Sequence, residues 1–323
     1  MLRIRDSLTN DSKLSPATAN NYVRNLYMLN GKKPYTTLAF LRKKADVFQL
    51  LGTYAPSTQS AMLGAVVGVL ALFKDRATFK TLHTYYTKEM QRRMKALACK
   101  NGEMTEKQKD NWISWEEVKK KKEELGADLP VGKKRVLDAA HYNPMFQYVV
   151  LGLYTDVPPR RNLDYTNMFI VKKWNEKMPT DRNYYDTTNK KFVFNNYKTA
   201  GKYGQQIEDI PVALQDKLNR LVKYHPLWRG TAMRGAVPLL VDSAGERLPE
   251  PNGMTRVMNR IFGKRIGVSM LRHIFLTEKF GAHICGLSET ATAMGHSAGT
   301  ALTYIKDTPE ANQNTLSLQS RSE

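Results

Sequence analysis

Ser269-Met270-Leu271-Arg272-His273, Met294-Gly295-His296-Ser297 and Tyr304-Ile305 are the stretches on which the reading of this chain turns. Taken singly, each has a plain explanation. Arg272 is flanked by Leu271, Ile274 and Phe275, so its guanidinium is expected to be partly buried and to need an anionic partner. His296 follows Gly295 and fits a helix cap, and His273 reads as a packing residue or one bonded to backbone. Tyr304 is one of 16 tyrosines; only its spacing singles it out, eight residues after His296, which itself follows Arg272 by 24.

Two more cationic elements lie upstream. Pro158-Pro159-Arg160-Arg161-Asn162-Leu163-Asp164 follows an apolar helix that starts near Met145. Asp164 stands three residues after Arg161 and four after Arg160, so either arginine can pair with it on a helix face. Residues 191–197 read as a strand, 199–204 as a turn and 206–212 as the returning strand. The resulting β-hairpin carries Lys198, with Lys202 as its rival on the same hairpin.

In this order and with these gaps, the five elements resemble the signature of the tyrosine recombinases, the phage-type integrases. The Pro-Pro-Arg-Arg style is closer to the recombinases of eukaryotic mobile elements and large DNA viruses or virophages. The resemblance covers residues 112–306. It implies that Arg161, Lys198, Arg272, His296 and Tyr304 are catalytic, with Asp164, Ser269 and His273 in support. It implies cleavage and rejoining of DNA through a 3′-phosphotyrosyl intermediate, with no metal, ATP or other cofactor. The chain departs from the family at Ser269, where His or sometimes Lys is usual. Serine cannot act as a base near neutral pH, so the Tyr304 proton would go to His296, to water or to the DNA phosphate.

The chemistry accounts for these residue types. In-line attack on a phosphodiester gathers negative charge on the non-bridging oxygens, and fixed cationic donors offset it. Arginine binds phosphate bidentately and stays charged. By the family's logic Lys198 protonates the leaving 5′-oxygen, and Tyr304 is the covalent nucleophile.

Bulk composition agrees with a polyanionic partner. The 323 residues hold 50 Lys+Arg against 30 Asp+Glu, a net charge of +20. Residues 1–100 alone carry 17 basic and 5 acidic side chains. Such an excess favours a nucleic acid, DNA or RNA, ahead of an anionic membrane surface or a merely basic, soluble role, and the resemblance implies double-stranded DNA. Two distant cysteines, Cys99 and Cys285, argue against a zinc site or a disulfide framework and for a reducing intracellular compartment, whether host nucleus or cytoplasm. Residues 1–10 are polar and unlike a secretory leader. The uncharged stretch 47–73 has an apolar part too short to span a bilayer, so no membrane partner is expected.

The first hundred residues read as a basic helical bundle. Ser15-Pro16 opens its first helix; Leu38, Leu41, Ala45 and Phe48 mark a second; Pro56 opens a third, and a fourth spans about 78–99. Arg42, Lys43, Lys44, Arg92, Arg93, Lys95 and, on the hairpin, Lys202 are the expected DNA contacts. Residues 105–111 read as a linker to a catalytic domain over 112–323, and Lys119–122 as part of a solvated charged helix. The expectation is a mainly α protein with two domains forming a C-shaped clamp: an all-α N-terminal domain and an α+β catalytic domain with a small antiparallel sheet. A dimer on each site and a tetramer in synapsis follow from the resemblance. Two alternatives stay open: DNA relaxation of the type IB topoisomerase kind, and a catalytically impaired DNA-binding protein with Ser269 as the mark of decay.

Overall fold

The computed structural model describes residue 8 and residues 14–98, 103–127, 129, 137–228, 235–249, 252–295 and 298–302. The chain divides into two compact units, Met1–Met104 and Thr105–Glu323. The described secondary structure is mainly helical, with one small sheet.

In the first unit, α1 (Pro16–Leu29) begins where Ser15 accepts a hydrogen bond from the Thr18 amide and Pro16 supplies a preset first turn. A 3-10 turn (Ala39–Arg42) and α2 (Lys44–Gly52) occupy the stretch that periodicity reads as one helix; the chain breaks at Lys43, whose ψ of 68° is not helical. Next come α3 (Pro56–Ala71) and α4 (Ala77–Ala98). Apolar α3 is the centre of this unit, with Leu63, Val66, Val69 and Leu70 fully buried. Gly68 lets the Tyr22 ring of α1 lie against it: a Cβ there would stand 2.5 Å from Tyr22 Cε2. The buried Tyr86 hydroxyl of α4 donates to the Leu41 carbonyl at 2.8 Å, tying α4 to the 3-10 turn.

The second unit starts with a short helix, α5 (Glu106–Asn111), in the polar stretch 105–111, because Thr105 and Gln108 form a reciprocal capping box. Ser114 and Glu117 cap α6 (Trp115–Ala127) similarly. Helix α7 (Ala139–Gly152) is the apolar helix ahead of Pro158, α8 (Asn162–Thr166) is a single turn, and β1 (Met168–Val171), β2 (Asn183–Asp186) and β3 (Lys191–Phe194) follow. A short helix, α9 (Ala200–Tyr203), separates β3 from β4 (Gln206–Asp209). After amphipathic α10 (Val212–Tyr224) come β5 (Val237–Pro238), α11 (Gly253–Phe262), α12 (Val268–Ala293) and α13 (Ala298–Ala301).

The expected hairpin is present as β3–β4, antiparallel with Val193 opposite Ile207. The sheet as a whole is mixed rather than antiparallel: its order is β4-β3-β2-β1-β5, and β1 pairs parallel to β2. A parallel neighbour requires the chain to return to the same end of the sheet, which residues 172–182 do. One face, with Ile170, Tyr185, Phe192 and Phe194, joins the core of α7, α10, α11 and α12. The other, with Tyr184 and Val193, is covered by Trp174 and Met178.

A buried ion pair anchors the segment that leads into Pro158. The Asp156 carboxylate lies 2.8 Å from the Lys217 ammonium of α10 and 2.7 Å from Lys122 of α6; the Asp156 and Lys217 side chains are 4% and 7% exposed. Lys217 also donates to the Ala213 carbonyl at 2.9 Å. Removing one partner of such a pair leaves an uncompensated charge. Asp156→Ala is expected to cost about 3–5 kcal/mol, and Lys122→Ala less, because Lys217 still pairs with the Asp156 carboxylate, both read as shifts in the urea midpoint.

Candidate functional site

The Arg160–Arg161 pair is separated by what each side chain touches. Arg161 is the N-cap of α8, with φ −79° and ψ 158°, and is exposed. Its carbonyl accepts the Asp164 amide at 3.1 Å. Arg160 points inward and is nearly buried. Its Nε donates to Asp164 Oδ2 at 3.0 Å, one terminal nitrogen to Glu208 at 2.7 Å and the other to Gln206 at 2.8 Å. The guanidinium stacks 3.7 Å from the centroid of the Phe194 ring and lies 5.3 Å from that of Tyr197. The acid at Asp164 is therefore held by Arg160, four residues before it, and Arg161 is left facing outward.

Lys198 is exposed in the turn after β3, and Lys202 is exposed on α9. The base of this loop is bonded tightly. Asn183, buried in β2, accepts the Asn195 and Asn196 amides at 2.8 Å and donates to the Asp164 carbonyl at 2.8 Å. The Tyr197 hydroxyl closes the loop onto the Gly204 carbonyl at 2.7 Å. Asn183, Gln206 and Glu208 are site residues that sequence reasoning missed.

Helix α12 buries Val268, Leu271 and Ile274, which turns Ser269 and His273 to its other side and leaves Arg272 at the edge of the buried face. Ser269 and His273 are exposed, so the packing expected for His273 does not occur. Arg272 is half-buried. It acts electrostatically on the fully buried Tyr154 phenol, and so does Asp164. Tyr154 packs edge-on against Tyr165 at 5.4 Å, and Tyr165 feels Arg160 and Glu208. One buried tyrosine pair thus lies within electrostatic reach of both the Arg160–Asp164 network and Arg272.

Burial pushes both phenols well above their ordinary pKa, so they stay neutral. Burial also raises the Asp164 carboxyl above the usual carboxylate range, against the opposing pull of Arg160. Among the described residues, Arg161, Lys198 and Arg272 have no carboxylate within ion-pair distance. His296, Ser297 and Tyr304 lie outside the described residues; α12 runs to Ala293, and Gly295 beyond it takes a left-handed φ of 79°.

In the first unit Arg42, Lys43 and Lys95 are exposed. Lys44 lies over the Tyr85 ring at 3.8 Å, Arg92 pairs with Glu89 at 2.9 Å, and Arg93 bonds Gln59 and lies over Phe48. In the second unit Lys107, Lys264 and Arg265 line an open cavity of about 780 Å³ between α5 and the end of α11. This cationic group was also missed, because its members come from segments far apart in the chain.

Comparison with protein-family models, with curated proteins and with solved structures gives no match for this chain. Among the described residues no cluster of His, Cys, Asp and Glu is arranged to hold a metal ion, and no helix is long and apolar enough to cross a membrane.

Proposed function

We propose that this chain is a tyrosine-type site-specific DNA recombinase or integrase. The observation that carries the reading is the half-buried Arg272 on α12, which has no carboxylate within ion-pair distance among the described residues. A partly desolvated guanidinium in that state favours an anion. That cation, with the exposed Arg161 and the exposed Lys198 on a braced loop, suits the non-bridging and leaving oxygens of a phosphodiester.

In this reading Tyr304 attacks the phosphorus in line. The Tyr304 O–P bond forms as the bond to the 5′-oxygen breaks, and Lys198 gives that oxygen a proton. The phenolic proton passes to His296 or to solvent. Arg161, Arg272 and His296 hold the charge that develops on phosphate, and Ser269 donates a hydrogen bond to it. The bond energy is conserved in the phosphotyrosine, so rejoining needs no nucleotide. Basic side chains of both units fix the duplex by its phosphates. Assembly as a dimer on each site and a tetramer in synapsis is part of the proposal.

The test is covalent trapping. The full chain is incubated with pooled nicked duplexes in EDTA and run on a denaturing gel. A protein–DNA band supports the reading; binding without any band moves it to an inactive DNA-binding protein. A band accompanied by relaxation of any supercoiled plasmid by the monomer moves it to the topoisomerase kind. DNA binding itself is expected to weaken steeply with salt. With six or more phosphates neutralised, affinity falls about 10³-fold or more between 50 and 200 mM salt, measured by fluorescence anisotropy.

A further inference from the structure

All three guanidinium nitrogens of Arg160 are hydrogen-bonded inside the protein. Its Nε reaches Asp164 of α8, and its terminal nitrogens reach Glu208 and Gln206, which alternate along β4 and so share a face of the sheet. Its plane covers Phe194, the last residue of β3, and lies near Tyr197, which immediately precedes Lys198. Arg161 is the next residue in the chain. One planar group therefore binds the segment that presents Arg161, the strand that leads into Lys198 and the strand that returns from it. A second tie runs parallel, since Asn183 bonds both the Asp164 carbonyl and the amides of Asn195 and Asn196.

Resting on the recombinase reading above, we propose that Arg160 is a positioning residue that sets the Lys198 loop in register with Arg161, so that the proton donor and the phosphate clamp meet the same phosphodiester. Arg160 does not touch DNA. It acts through the geometry of the hairpin, and only a guanidinium can hold three acceptors in one plane while stacking on an aromatic ring. Lysine keeps the charge beside Asp164 but loses the fork and the stack, so Arg160→Lys keeps a counter-charge for that acid while releasing Gln206 and Glu208.

The readout separates misplacement of the proton donor from general damage. The duplex on which the full chain forms its adduct is made twice, with oxygen and with sulfur at the 5′-bridging position of the scissile phosphate. A thiolate is a competent leaving group without protonation, its thiol pKa being about 8.5 against roughly 15.7 for water as the oxygen reference. Arg160→Lys is expected to cleave the oxygen substrate about 10²-fold more slowly than wild type. On the sulfur substrate it is expected to come within about 3-fold of wild type, as is Lys198→Ala. Glu208→Gln, which leaves the other two arms in place, should show the same rescue from a smaller loss. Equal slowing of Arg160→Lys on both substrates, or no slowing at all, overturns the proposal while leaving the recombinase reading standing. Failure of the wild-type chain to form any adduct removes that reading, and the proposal with it.

Discussion

Tyr304→Phe is expected to abolish the covalent adduct, a loss of more than about 10⁴-fold, with DNA affinity nearly unchanged. The two halves of this result have separate causes. The adduct requires an oxygen nucleophile, and phenylalanine supplies none. On the proposed reading, affinity comes from phosphate contacts of the many basic side chains of a +20 chain, and one neutral hydroxyl adds little to that sum. Adduct yield on a denaturing gel and anisotropy on the same duplex read the two halves. A Tyr304→Phe protein that still forms adduct would move the nucleophile to another of the 16 tyrosines.

The second large effect distinguishes the three arginines. Arg272→Ala is expected to slow cleavage by about 10²–10³-fold, the cost of one preorganised donor lost from the developing charge. Arg272→Lys recovers only part of this, because an ammonium cannot bind phosphate through two parallel bonds. Arg161→Ala should behave like Arg272→Ala and leave the urea midpoint within the range of ordinary surface substitutions, since Arg161 is exposed. Arg160→Ala should instead lower stability by about 3–5 kcal/mol, because it strands the buried Asp164 carboxylate. Single-turnover cleavage and urea titration on the three variants check the pattern. Equal stability losses at Arg160 and Arg161 would contradict the division of labour.

Much of the helical framework is legible in the sequence because its signals are local. Ser15-Pro16 and Pro56 mark helix starts, and Leu26 and Leu29 fall on the buried face that their spacing predicts. The capping box Thr105–Gln108 is equally local and marks the start of α5 within the polar stretch 105–111. The sheet was legible only at the hairpin. Strand β2 is Asn-Tyr-Tyr-Asp with all four residues buried, so it shows no alternation, and β5 is two residues long. A strand covered on both faces looks like any short mixed segment.

Within the site, the spacing to Asp164 admits an ion pair with either Arg160 or Arg161. What decides between them is the pair of acceptors on β4, 46 and 48 residues from Arg160, together with the ring of Phe194. No local pattern carries that information. The half-burial of Arg272 likewise arises only when α12 packs on the core formed by α7 and the sheet.

The central claim is a covalent link between Tyr304 and the 3′ end of a cleaved strand, and the most direct measurement is to locate that link. The trapped complex is digested with protease and nuclease, and the peptide that carries the nucleotide is sequenced by mass spectrometry. The account predicts a single modified peptide containing Tyr304, joined to a 3′-phosphate, with a free 5′-hydroxyl on the other strand end. A link at any other residue, or to a 5′-phosphate, would contradict it.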